Sequence, residues 1–151
     1  MVSKTKVLLP VFGIILMVMI SGCTSQKPVK DLTPEEVVTT YWNEIGRGDY
    51  NSAYDLAYHA NQNLTKQMWV DEHISTWGEN GSYIKIYSFN VTGSYPINGS
   101  DFEGNFSEAR IVNTNATISY RGQNETGELR MILVNTTDGW KVFGNNYVSA
   151  P

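Results

Sequence analysis

Residues 33–45 read TPEEVVTTYWNEI and predict the helix that opens the folded domain. Thr33 can cap this helix, a proline takes its first position, and Glu36 completes a capping box with Thr33. The apolar residues that follow recur at helical spacing, so the helix presents one apolar face to a core. Gly46 and Gly48 then end it, because glycine readily leaves the helical conformation.

Two further helices are predicted before the pattern changes. Asp49 can cap a short one, and Thr65 can cap a third that ends at Gly78. Beyond Gly81 the apolar residues recur with period two, which is typical of strands.

Strands are predicted at four segments, with a long loop rich in Gly, Asn and Ser at residues 92–106. The segments are 83–91, 111–120, 128–134 and 140–143. In the second, apolar residues alternate with Asn, Thr and Ser, as in a half-buried antiparallel strand. Helices first and strands afterwards predict an α+β fold, with N-terminal helices packed on an antiparallel sheet of about four strands.

This order of elements resembles the cone-shaped superfamily of nuclear transport factor two, ketosteroid isomerase and scytalone dehydratase. The resemblance is carried by TPEEVV at 33–38, YW at 41–42, GDYNSAYDL at 48–56 and DGWKV at 138–142. It spans residues 33–148 and implies helices against a strongly curved sheet, a cystatin-like cone. That fold hosts enzymes, binders and structural modules, so the resemblance implies a pocket and no particular reaction.

The N-terminus predicts an export signal and a lipid anchor. Two lysines precede an uncharged stretch from Val7 to Gly22, which as a helix reaches about 24 Å, short of the ~30 Å hydrocarbon core. Residues 20–23, ISGC, resemble a prokaryotic lipobox, in which the cysteine receives a lipid and becomes the new N-terminus. Cys23 is the only cysteine of the chain. The alternative is an uncleaved signal anchor with an incidental cysteine.

The predicted organisation has three parts: a signal peptide at 1–22, a lipid-bearing Cys23 with a flexible tether at 23–32, and one cone domain at 33–151. This places the domain at the outer face of the cytoplasmic membrane. Without the leader, nine basic residues stand against 15 acidic ones, a net charge of −6. Because phosphate backbones are bound by clustered Lys and Arg, nucleic acid is not an expected partner.

Sequons for N-glycosylation are more frequent than chance predicts. With 14 Asn and 25 Ser or Thr among 151 residues, random placement gives roughly two. The chain has eight, with acceptors Asn63, Asn80, Asn90, Asn98, Asn105, Asn115, Asn124 and Asn135. Preference of these residues for turns is the alternative explanation, but Asn115 lies in the middle of a predicted strand. General N-glycosylation together with a lipobox predicts an archaeal cell surface.

A set of aromatic residues and one histidine could line the pocket of the cone. They are Tyr41, Trp42, Trp69, His73, Trp77, Tyr120 and Trp140. The alternative for the aromatic residues is an ordinary core, and for His73 a hydrogen-bonded histidine in the core or at its rim. No metal-ligand spacing, phosphate loop or nucleophile motif is present, so neither a metal nor a cofactor is expected.

Two functions remain open. The first is a non-enzymatic surface lipoprotein whose cone binds a small apolar ligand or an envelope protein; a homodimer is compatible with it. The second is an enzyme of the same fold doing proton transfer or dehydration, with His73 as its only catalytic candidate. A His73 beside a buried carboxylate in an open cavity would favour the enzyme.

Overall fold

The computed structural model describes residues 27–61 and 63–149, with the side chains of residues 145–149 excepted. The signal peptide and Cys23 lie outside the described residues. Within them, no helix is long and apolar enough to cross a membrane.

Three helices form the first half of the domain: α1 (Pro34–Arg47), α2 (Tyr50–Leu56) and α3 (Lys66–Trp77). Each begins at the predicted cap. The Thr33 hydroxyl accepts from the Glu36 amide at 3.3 Å, and the Glu36 carboxylate accepts from the Thr33 amide at 2.7 Å, which completes the capping box. Asp49 and Thr65 accept amide hydrogen bonds at the starts of α2 and α3 in the same way. These caps confirm the predicted helix starts.

Four strands form one antiparallel sheet in sequence order: β1 (Ile84–Ile97), β2 (Ala109–Tyr120), β3 (Gln123–Thr136) and β4 (Gly139–Ser149). Three helices against a four-stranded antiparallel sheet confirm the predicted α+β class. Register shifts interrupt β1 twice and the β3–β4 ladder once. Such bulges bend a strand and increase its twist.

The predicted loop at 92–106 was wrong in its first part, because β1 continues to Ile97 and pairs with β2 along its whole length. A glycine and a proline within this part of β1 are tolerated for identifiable reasons. Gly93 follows a register shift, and Pro96 lies on an edge strand, where a missing amide donor costs no central ladder bond. The remaining strands also extend beyond their predicted ends.

The segment 23–32 was predicted to be a flexible tether, but its C-terminal part is folded in the structure. Val29–Asp31 form one turn of 3-10 helix, in which the Asp31 amide donates to the Pro28 carbonyl at 2.9 Å. The turn packs beside the start of β4, where the Lys30 backbone occupies the space that a side chain at Gly139 would fill. From Pro28 onward the chain is therefore part of the folded domain.

The helices cover one face of the sheet and leave the other open. The core joins apolar residues of α1 and α2 to the inward residues of β2 and β3; it includes Val37, Ile45, Leu56, Val112, Met131 and Leu133, each at most 2% exposed. Thr114 also points into this core and is satisfied by donating to the Leu129 carbonyl at 3.1 Å. The buried face thus positions α1 and α3 above the last two strands, where a cleft opens.

Candidate functional site

An aromatic cleft of about 310 Å³ lies between α1, α3 and the strands β3 and β4. Five of the seven residues predicted to line a pocket are found in its wall: Tyr41, Trp42, Trp69, His73 and Trp77. Helical spacing accounts for their convergence, since α1 and α3 each direct one face toward the sheet.

Trp42 forms the floor of this cleft and is only 3% exposed. Its indole packs edge-on against Trp77, with ring centroids 6.2 Å apart, and against Tyr41 at 5.9 Å. These edge-to-face pairs hold the three rings in fixed orientations. The Trp42 Nε1 is buried and has no hydrogen-bond partner among the described residues.

His73 is half-buried in the wall of the cleft, and its Nδ1 donates to the Trp69 carbonyl at 2.9 Å. This bond places the proton on Nδ1, so in the neutral ring Nε2 is an acceptor. Burial, the largest contribution, holds the pKa of His73 below its usual value, against smaller opposing effects of the Trp69 carbonyl and the Glu72 charge. The imidazole is therefore neutral at physiological pH.

Tyr41 contributes a phenol to the wall of the cleft. Burial raises the pKa of its phenol to about 12, so it stays protonated at any physiological pH. A neutral imidazole and a neutral phenol give the cleft hydrogen-bonding capacity without a charge from either.

Tyr120 and Trp140 lie outside this cleft. The Tyr120 hydroxyl donates to the Thr76 carbonyl at 3.1 Å, and its ring packs on Trp77 from the sheet side. Trp140 instead borders a separate groove beside Ile97 and Ala109. Both residues lie on strands, and a shift of one residue in strand register moves a side chain to the opposite face of the sheet.

Sequence patterns did not identify two aromatic residues of the cleft, Tyr58 and Phe143. Their rings stack with centroids 5.6 Å apart, and the Tyr58 amide donates to the Val142 carbonyl at 2.7 Å. Tyr58 follows α2 in a segment without periodicity, and Phe143 sits at the register shift of β4, where alternation fails. Neither position carries a signal that could have found it.

The surroundings of His73 bear on what chemistry the cleft could support. No ion pair joins the His73 ring to a carboxylate within residues 27–61 and 63–149, and Glu72, the acid at the rim, is exposed. Across the same ranges, no three His, Cys, Asp or Glu side chains converge as metal ligands. What the wall offers is aromatic surface together with polar groups from Tyr41, Glu72, His73 and Thr76.

The eight sequon asparagines all lie at the surface. Seven side chains are exposed, and Asn135 is half-buried with its amide donating to Glu108 at 3.3 Å. Asn80 and Asn105 have left-handed backbone conformations in turns, with φ of 52° and 49°. Surface position is a requirement for a glycan acceptor and is met at every site.

No protein-family model and no curated protein matches the sequence. Among solved structures, the SEC-C motif-containing protein RPA3114 from Rhodopseudomonas palustris is similar at a TM-score of 0.54 and 10% identity, over 82% of this chain and 83% of that one. An NTF2-like protein of unknown function in nutrient uptake from Rhodospirillum rubrum aligns at 0.46 and 16% identity, over 76% and 98%. The Ntf2-like, potential transfer protein TraM from the Gram-positive conjugative plasmid pIP501 aligns at a TM-score of 0.47 and 11% identity, over 78% and 94%. At these identities, the similarity to RPA3114 concerns the fold alone.

Proposed function

We propose that this chain is an archaeal cell-surface lipoprotein, anchored through lipidated Cys23 and N-glycosylated, whose cone binds a small apolar ligand without catalysis. The observation that carries the ligand-binding part is the aromatic cleft. The lipobox-like ISGC at 20–23 and the eight sequons support the proposed lipid anchor and cell-surface location.

The chemistry of the cleft wall defines the class of ligand. Three indoles and the stacked pair of Tyr58 and Phe143 provide flat apolar surface on several sides of one space. Such walls favour an uncharged ligand with a planar or compact hydrocarbon part. Because the His73 imidazole and the Tyr41 phenol are both neutral, a ligand gains no ion pair from either, and the carboxylate of the lining, Glu72, lies at its exposed rim.

A binding role is favoured over proton transfer by the environment of His73. A general base works best when a second group orients it and its pKa lies near the working pH. Here the orienting partner is a backbone carbonyl, and burial moves the pKa away from neutrality toward lower values. The enzyme alternative therefore rests on a single neutral histidine in the wall.

Two helical threonines allow a matched test of the cleft. Thr76 lies in its wall and Thr39 lies on α1 outside it; both are exposed, and each hydroxyl donates to the carbonyl four residues earlier. Thr76→Phe therefore adds bulk at the cleft, and Thr39→Phe makes the same chemical change elsewhere. The probe is the neutral fluorophore N-phenyl-1-naphthylamine, whose emission rises in an apolar site.

We expect saturable binding of the probe to the wild type and to Thr39→Phe, and at least tenfold weaker binding to Thr76→Phe. Equal affinity in the two variants would contradict the assignment of the cleft. His73→Phe keeps an aromatic ring in the wall and removes the imidazole, so binding should persist. A loss of binding in this variant would show that the ligand is held by the imidazole and not by the aromatic surface alone.

A further inference from the structure

Three of the eight sequons meet in register on the open face of the sheet. Asn90 on β1 is the direct cross-strand partner of Asn115 on β2. Thr117, which completes the sequon of Asn115, is the direct partner of Thr126, which completes the sequon of Asn124. The two hydroxyls hydrogen-bond at 3.1 Å. One contiguous patch thus contains three candidate glycan acceptors and the hydrogen-bonded hydroxyls of Thr117 and Thr126, which complete two of the sequons.

This patch faces away from the helices. The side chains of Asn90, Asn115 and Asn124 are exposed, whereas Ala116, between Asn115 and Thr117, is only 3% exposed in the core beneath. Directly opposite residues of an antiparallel pair have their Cβ atoms about 5 Å apart. An oligosaccharide on either Asn90 or Asn115 therefore covers the other.

The backbone of Asn115 is held more firmly than that of any sequon in a turn. β2 is a central strand, and Asn115 pairs with Asn90 on one side and Glu128 on the other. By contrast, Asn80 and Asn105 lie in short turns with left-handed backbones. Separating residues 115–117 from the sheet breaks backbone hydrogen bonds to both β1 and β3 and the hydrogen bond between Thr117 and Thr126. Opening a turn breaks fewer hydrogen bonds.

We propose that the open face of the sheet is a glycan-bearing face and that Asn115 is modified only before β2 has joined the sheet. The inference rests on the proposed glycosylation and adds its location and its order relative to folding. In the transfer, the Asn Nδ2 forms a bond to C1 of the first sugar and loses one proton. The bond from C1 to the phosphate of a lipid-linked oligosaccharide breaks, and the phosphate leaves with the electron pair.

The reason for this order is geometric. A transferase must hold the Asn amide and the hydroxyl two residues later in one site, and in the folded chain that hydroxyl at Thr117 is bonded to the next strand. The sequons at Asn80 and Asn105 have no such cross-strand bond on their hydroxyls, Ser82 and Ser107, among the described residues. Once modified, the sheet face is occupied by carbohydrate and is closed to a second macromolecule, including another copy of this chain.

The test compares two full-length chains made without glycans. One is the folded wild type, and the other is Val112→Asp, which places a carboxylate at a core position with 0% exposure and unfolds the domain. Circular dichroism verifies both states. Each chain is incubated with membranes that hold an archaeal oligosaccharyltransferase and its lipid-linked oligosaccharide, and occupied sites are mapped by peptide mass spectrometry.

We expect Asn80 and Asn105 to be modified in both chains and Asn115 in the unfolded chain alone, with at least tenfold lower occupancy in the folded one. Comparable occupancy of Asn115 in both chains, or none in either while the turn sites are modified, would overturn the inference. The absence of any modification at all eight sites would instead overturn the proposed glycosylation. Leu133→Asp, at another core position with 0% exposure, serves as the second unfolding variant if Val112→Asp retains its fold by circular dichroism.

Discussion

The imidazole of His73 lies flat on the indole of Trp69, with ring centroids 3.4 Å apart and planes 18° from parallel. The same histidine donates from Nδ1 to the carbonyl of Trp69 at 2.9 Å. One residue of α3 therefore both stacks on and hydrogen-bonds to the residue one turn earlier. This relationship accounts for the orientation of the His73 ring and for its neutral state.

His73→Ala removes both interactions. Since a stacked pair and a neutral hydrogen bond each contribute about 1 kcal/mol, we expect a total loss of about 1–3 kcal/mol in the free energy of unfolding. His73→Phe keeps the stack and should lose about 1 kcal/mol or less. Urea unfolding followed by tryptophan fluorescence measures both values. A larger loss in His73→Phe than in His73→Ala would contradict the packing role.

The pH dependence of stability follows from the lowered pKa of His73. Burial, its main cause, disfavours the charged ring in the folded state, so between the lowered pKa and the ordinary value of 6.5 the unfolded chain binds more protons. This contribution is present in full above pH 6.5 and is lost as the pH falls through the folded-state pKa.

The stability advantage of the wild type over His73→Phe should therefore shrink as the pH is lowered from about 7.5 to about 5. Urea unfolding of both proteins at several pH values checks this. A difference between the two proteins that stays constant with pH would show that His73 is not desolvated.

The capping box of α1 gives a prediction about the start of the domain. Thr33→Ala removes the hydroxyl that accepts from the Glu36 amide, and loss of such a cap costs about 1 kcal/mol. Thr33→Ser retains the oxygen and should remain within about 0.5 kcal/mol of the wild type. Thermal or urea unfolding of the three proteins measures the difference. Equal destabilisation by Ala and Ser would argue against the cap.

Gly48 is required by both its backbone and its surroundings. Its φ is 73°, and a Cβ at this position would lie 2.3 Å from the Cα of Asn80. Because the obstacle is backbone, Gly48→Ala should destabilise by more than the about 1 kcal/mol expected from the left-handed conformation alone. Gly93→Ala, where the added methyl meets open space, is the control and should change stability little. A neutral Gly48→Ala would contradict the observed packing of α1 against this turn.

Sequence patterns predicted the helices well because their starts depend on local chemistry. Thr33, Asp49 and Thr65 cap through bonds to residues three positions ahead, which a linear pattern can register. The extension of β1 to Ile97 was missed because it depends on pairing with β2 across a bulge, which is a non-local interaction. Strand ends are set by such partners more than by composition.

The same distinction applies to the cleft. Residues on α1 and α3 were found because helical periodicity gathers them on one face. Tyr58 and Phe143 were missed because one follows a helix end and the other occupies a register shift. Tyr120 and Trp140 were included because they are aromatic and lie on strands, but the register of the sheet directs them elsewhere.

The intact mass of the native protein, extracted from membranes with detergent, tests the central proposal of a lipid-anchored glycoprotein most directly. We predict a chain that begins at Cys23, carries the mass of a covalent lipid and shows additional oligosaccharide increments. A mass equal to that of the unmodified 16.9 kDa chain, with residues 1–22 still attached, would contradict the proposal.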